Sequence, residues 1–244
     1  MKASKATAGL AAAAGGAIFV HTLPGVVAWR SARSLLLPRL AGVGRPDHVA
    51  LTFDDGPDPV STPPILDALD RLGWSATFFF LGSQVRRSPG LAREVVLRGH
   101  EAAVHGDSHS SQLIRPVPWT VWDVCRASET IEQVTEVPPR WFRPPYGAVS
   151  LSSVVAGRLS KLRMVLWTTW GVDWRGDSTG ATVAERISRT FRPGATVLLH
   201  DSDITSAPGS WRSALDALPL LAEQWSRAGL TVGPLSEHGL AGTG

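Results

Sequence analysis

A chain of 244 residues can bury one substantial core and has no room for a second large module. Its formal net charge of +3 comes from scattered arginines with no lysine–arginine block, which sets nucleic-acid binding aside and suits an anionic cell-wall or lipid surface at least as well. The single Cys125 excludes an internal disulfide framework and a cysteine-based zinc cluster, so any metal must be held by histidine and carboxylate.

In chain order, Met1-Lys2-Ala3-Ser4-Lys5 is followed by a run with no Asp, Glu, Lys or Arg from Ala6 to Trp29. That length suits an export signal or a membrane anchor, whereas Arg30, Arg33 and Arg39 put the more basic flank downstream and argue for the reverse orientation. Residues 1–46 are expected to be a signal- or anchor-like segment with its linker, and 47–244 a single domain. Short apolar runs at Val49–Phe53, Ala76–Leu81, Glu101–Val104, Trp141–Arg143, Met164–Thr168, Ala195–Leu199 and Leu230–Val232 read as strands. Between them, Pro64–Leu72, Gly90–Arg98, Trp119–Thr135, Leu151–Leu162, Ala181–Phe191 and Trp211–Ala228 read as helices. The alternation implies a parallel sheet with right-handed crossovers, either barrel or doubly wound. The fold expected is α/β, a distorted (β/α) barrel of about seven parallel strands.

Chemistry gathers where these strands end. Leu51-Thr52-Phe53-Asp54-Asp55-Gly56-Pro57 closes an apolar run with two adjacent carboxylates. Neighbours in a strand face opposite ways, so the Gly-Pro break, with Gly56 permitting unusual dihedrals, is what would let both acids lean toward one point. Two carboxylates that close call for a cation. His105 and His109 stand four apart, a spacing that puts them on one side of a helical turn and suits a divalent ion; Arg143 offers a guanidinium that can fork onto a carboxylate. His200 follows another apolar run. Taken singly, each motif is an ordinary polar turn, surface histidine pair or strand end, and Asp58 and Asp107 read as caps or turns. Taken together, Asp54, Asp55, His105, Arg143 and His200 all fall at the C-terminal ends of predicted strands, the rim where α/β barrels build their sites.

With these residues in view, the chain resembles the polysaccharide deacetylase (NodB-homology) family, carbohydrate esterase family four, over roughly residues 47–236. Thr52 to Gly56 matches T-F-D-D-G; His105 and His109 match H-[ST]-x-x-H with Gly106 in place of the hydroxyl residue; Arg143-Pro144-Pro145-Tyr146 and Leu198-Leu199-His200 match two further motifs. The motif D-x-x-D-W is imperfect: Asp173-Trp174 matches its end, Trp170 stands where its first aspartate belongs, and a shifted frame offers Asp177 as a displaced equivalent.

The resemblance implies a hydrolase removing N-acetyl groups from amino sugars of a peptidoglycan- or chitin-like glycan. It implies one divalent ion, zinc foremost with cobalt, nickel or iron as alternatives, held by Asp55, His105 and His109. It further implies Asp54 as general base oriented by Arg143, the Tyr146 backbone N–H as oxyanion donor, and His200 as acid supported by Asp173. The alternatives are a deacylase for another acyl group, an acetyl ester or a formamide, and a silent glycan-binding homologue. An extracytoplasmic protein, membrane-anchored or secreted, is expected, with a cytoplasmic-facing domain as the alternative; the sequence does not fix an oligomeric state.

Overall fold

The structure, a computed structural model, describes residues 30–240; the charge-free segment Ala6–Trp29 lies outside the described residues. Eight strands form one parallel sheet: β1 (His48–Asp54), β2 (Thr77–Phe80), β3 (Glu101–Val104), β4 (Trp141–Phe142), β5 (Arg163–Met164), β6 (Thr169–Trp170), β7 (Thr196–His200) and β8 (Thr231–Gly233). The helices are α1 (Arg30–Leu36), α2 (Pro38–Ala41), α3 (Thr62–Leu72), α4 (Gly82–Arg87), α5 (Pro89–Leu97), α6 (Val117–Thr135), α7 (Leu151–Leu159), α8 (Gly180–Thr190) and α9 (Trp211–Arg227). The strand order is β5-β4-β3-β2-β1-β7-β6, and β8 pairs with β1. Strand β7 runs beside Ala50–Asp54 of β1, while the other edge of β1 is shared by β8 along His48–Ala50 and β2 along Thr52–Asp54.

The apolar alternation of the strands builds two layers. Val49, Leu51, Phe53, Phe78, Phe80, Val104, Val197 and Leu199 join the buried side chains of the surrounding helices in the main core. The intervening positions Ala50, Phe79, Ala103 and Trp141 form a separate cluster on the other face of the sheet. Period two then fixes which residues follow on that face: Thr52 and Asp54 after Ala50, His105 after Ala103, Arg143 after Trp141, His200 after Leu198. The polar residues are thus the last inward-facing steps of apolar strands.

The expected single strand Met164–Thr168 is instead two short strands, β5 and β6, at opposite ends of the strand order. The chain between them carries the sheet from one edge to the other: Val165 N–H donates to the Phe142 carbonyl at 3.0 Å and Thr168 N–H to the Thr196 carbonyl at 3.0 Å. At this seam the segment 33–46, read from sequence as linker, is bonded to the body. The Leu40 carbonyl accepts Leu166 N–H at 2.8 Å, the Gly42 carbonyl accepts the Thr196 hydroxyl at 2.7 Å, and Gly44 N–H donates to the Gly194 carbonyl at 3.0 Å. Buried Arg33 donates to the Trp167 carbonyl at 2.7 Å. Among the described residues, no helix is long and apolar enough to cross a membrane.

Candidate active site

Asp54 ends β1 in register with His200 of β7. Its Oδ1 accepts a hydrogen bond from Arg143 at 2.7 Å. Arg143 is wholly buried, donates also to Thr52 Oγ1 at 2.9 Å and to the Leu166 carbonyl at 2.9 Å, and lies 4.0 Å from the centre of the Phe79 ring. Burial disfavours the guanidinium charge and lowers its pKa, while the Asp54 carboxylate opposes that shift.

The two acids converge by a route different from the one read in sequence. The left-handed residue is Asp55 itself, at φ +80, a conformation that costs a non-glycine residue on the order of 1–3 kcal/mol. Gly56 is needed for space: a Cβ there would stand 2.0 Å from Asp201 Oδ2. The Asp201 carboxylate buttresses the turn by accepting the Gly56 N–H at 3.1 Å and the Thr62 hydroxyl at 2.6 Å, and burial raises its pKa to about 7.

Asp55, His105 and His109 come together as expected, with one possible donor atom from each inside a span of 4.8 Å. Asp55 Oδ1 lies 3.5 Å from His105 Nε2 and 3.2 Å from His109 Nε2. The histidines do not share a helical turn: residues 105–109 form a loop after β3, with Gly106 at φ +92 and His109 at φ +53, and the rings meet at 5.1 Å. His105 Nδ1–H donates to the Arg143 carbonyl at 2.8 Å, which leaves Nε2 as the free lone pair facing Asp55. Burial, against the attraction of Asp55, pulls the His105 pKa down to about 3, so the ring is a neutral imidazole.

The fit of a cation rests on one further atom. Asp55 Oδ2 accepts the Thr205 hydroxyl at 2.6 Å, whereas Oδ1 is buried and has no hydrogen-bond partner. An ionised oxygen so placed is costly unless a cation meets it, and a carboxylate with two imidazole nitrogens is a donor set that leaves coordination positions open.

Across the cleft, His200 is bound to Asp173 twice: its backbone N–H donates to Oδ2 at 2.7 Å, and Nδ1 lies 3.1 Å from Oδ1. Burial opposes the imidazolium, but the charge and hydrogen bond of Asp173 outweigh it and raise the pKa to about 10. Asp177 is exposed and pairs with Arg175 at 2.8 Å, so the aspartate in contact with His200 is Asp173.

The cavity, of about 250 Å³, is walled by Trp167, Trp170, Trp174 and Leu198 as well as the polar groups. The indole centres follow one another at 5.4 and 5.1 Å, and Trp174 meets His200 at 5.5 Å. Tyr146, at φ +61, sets its largely exposed ring edge-on to His109 at 4.6 Å. Trp141 lies away from this wall in the packed interior, its Nε1–H bonded to Glu101 at 2.9 Å. Asp58 makes the expected turn, accepting the N–H groups of Val60 and Ser61 at 2.8 and 3.1 Å, whereas Asp107 is an ion-pair partner of Arg86 at 2.6 Å. Sequence reasoning missed Thr205 and Asp201. Only Asp201 carried a signal, its place next to His200.

The polysaccharide deacetylase family profile matches residues 41–165. A chitooligosaccharide deacetylase of Bradyrhizobium sp. (strain ANU 289) is 36% identical over 200 residues, covering 78% of this chain and 89% of that protein. The peptidoglycan-N-acetylglucosamine deacetylase PgdA of Listeria monocytogenes serotype 1/2a (strain 10403S) is 34% identical over 175 residues, 71% of this chain but 36% of the longer relative. The crystal structure of the Bc1960 peptidoglycan N-acetylglucosamine deacetylase superposes with a TM-score of 0.74 at 28% identity, covering 81% of this chain and 91% of that one. Strand-end carboxylates, paired histidines and whole-domain similarity agree: the chain belongs to the polysaccharide deacetylase (NodB-homology) family of carbohydrate esterases, hydrolases acting on carbon–nitrogen bonds.

Proposed function

We propose that this protein removes N-acetyl groups from amino sugars of a peptidoglycan- or chitin-like polysaccharide in a metal-dependent reaction. The observation that carries the reading is the division of labour between adjacent acids. Asp55 presents an unpartnered buried oxygen to two histidines, while Asp54 is locked onto Arg143. One acid is suited to a cation and the other to a proton.

Amide hydrolysis needs a deprotonated water, charge stabilisation on the carbonyl oxygen and a proton for the departing amine. A divalent ion held by Asp55, His105 and His109, zinc in this proposal, would supply Lewis-acid polarisation to the acetyl carbonyl and the attacking water. Asp54, oriented by Arg143, takes the proton of that water. The Tyr146 N–H donates to the carbonyl oxygen as charge builds there, a role independent of its side chain. His200, kept protonated by Asp173, donates its proton to the leaving nitrogen. The wall of Trp167, Trp170 and Trp174 offers apolar faces to a sugar ring.

We place the protein outside the cytoplasm, anchored or secreted, on two supports: the charge-free run Ala6–Trp29 and the glycan substrates named for the relatives. The test of function is acetate release from an N-acetylated chitooligosaccharide by zinc-loaded protein. Acetate that appears with zinc and vanishes in chelator is the predicted result. Binding of the glycan with no acetate released would refute the hydrolase.

A further inference from the structure

The loop that carries both candidate ligand histidines has a backbone that does not hold itself. Gly106 takes φ +92 freely as a glycine, but His109 at φ +53 is left-handed without that freedom, and such a residue persists only where the surroundings over-determine it. Three pairs of hydrogen bonds do so. The N–H groups of Gly82 and Ser83, at the start of α4, donate to the carbonyls of Gly106 and Asp107 at 3.0 and 3.1 Å. Arg86 of the same helix forks onto Asp107 at 2.6 and 2.9 Å. From α6 comes Asp123, fully buried, whose Oδ2 accepts the Asp107 N–H at 3.0 Å and whose Oδ1 accepts the Ser108 hydroxyl at 2.9 Å.

Asp123 has no part in the reaction derived above, and burying a carboxylate in a helix interface is costly compared with an apolar side chain. What it does in return is spend both oxygens on the loop, at the two residues between Gly106 and His109. The same Oδ2 also stands 2.7 Å from the point where a Cβ at position 106 would sit. The space of a side chain at 106 is therefore occupied by the carboxylate that fixes the rest of the loop.

We propose that Asp123 is a positioning residue for the metal-ligand loop, and that Gly106 and Asp123 form an interdependent pair: the carboxylate fixes the loop only because position 106 has no side chain. The inference rests on His105 and His109 being metal ligands. Partners behind metal ligands typically set affinity by 10–100-fold, and Asp123 acts at one remove, through the loop backbone.

The experiment is a zinc titration of the full chain against a chromophoric chelator, with the thermal midpoint of the metal-free protein measured in parallel. Asp123→Ala is expected to weaken zinc binding by about 10-fold or more, and Asp123→Asn, which keeps one acceptor, by less. Gly106→Ser is expected to weaken binding, and by a smaller factor in the Asp123→Ala background, where the clash is gone. If Asp123→Ala does not fold, Asp123→Asn with and without Gly106→Ser carries the same comparison, the second substitution costing less where the carboxylate is absent. Zinc affinity within about twofold of the unaltered protein in the Asp123 variants, or a Gly106→Ser effect that is the same in both backgrounds, would overturn the proposal. An unaltered protein that binds no zinc would overturn the ligand assignment and this inference together.

Discussion

Asp54 and Asp55 are chemically identical and adjacent, and their surroundings make them different reagents. Asp54 continues the inward alternation of β1 and meets Arg143; Asp55 leaves the strand in a left-handed conformation and meets two imidazoles. Strand periodicity makes the first placement legible in the sequence. The second is legible only as a demand for a cation, and Gly56 owes its identity to Asp201 packing against it, not to its own dihedrals. Thr205 was invisible because a threonine 150 positions from its partner carries no local signal. At this scale the imperfect motif around Asp173 yields a sharp expectation. An anion beside His200 favours the imidazolium, so removing it must lower the pKa. Activity that needs the protonated ring is lost as pH rises through that pKa. The basic limb of the pH–rate profile should therefore move to lower pH in Asp173→Asn, with zinc content unchanged. Asp177→Asn, altering an exposed residue paired with Arg175, should leave the limb in place. A shift in the second variant and none in the first would transfer the supporting role to the neighbouring loop.

Most elements were legible because their pattern is local. Strand β3 has the bounds expected from its apolar run, and β1, β2 and β7 differ by a residue or so at either end. Helices α7 and α8 begin at capping boxes, Ser150 with Ser153 and Thr179 with Thr182, which hold their first turns. What failed was either too short or non-local. The six residues of α4 are too few to show a helical period, and β5 and β6 look like one strand until the edges of the sheet that they join are known. Gly180, the first residue of α8, lies so close to α9 that a Cβ would stand 2.6 Å from the Asp216 carbonyl carbon. Gly180→Ala should cost about 1–3 kcal/mol in urea unfolding through overpacking, with zinc stoichiometry intact. Unchanged stability would mean that the two helices separate without penalty.

For the molecule as a whole, the sheet is finished by the segment ahead of it. Residues 33–46, expected to be part of a linker, are bonded into the body instead: Leu40, Gly42 and Gly44 bond to Leu166, Thr196 and Gly194, and Arg33 donates to the Trp167 carbonyl. A protein lacking residues 1–46 should be less stable than one lacking residues 1–29 by about 2–6 kcal/mol, from hydrogen bonds worth about 0.5–1.5 kcal/mol each. Equal denaturation midpoints would make the segment a passive connector. Whether Asp55 holds the metal while Asp54 moves the proton is decided by measuring zinc content and acetate release together in Asp54→Asn and Asp55→Asn. Asp54→Asn should keep its zinc and lose about 10²–10⁴-fold in turnover, while Asp55→Asn should lose both. Equal loss of zinc in the two variants, or turnover surviving in Asp54→Asn, would contradict that division of roles.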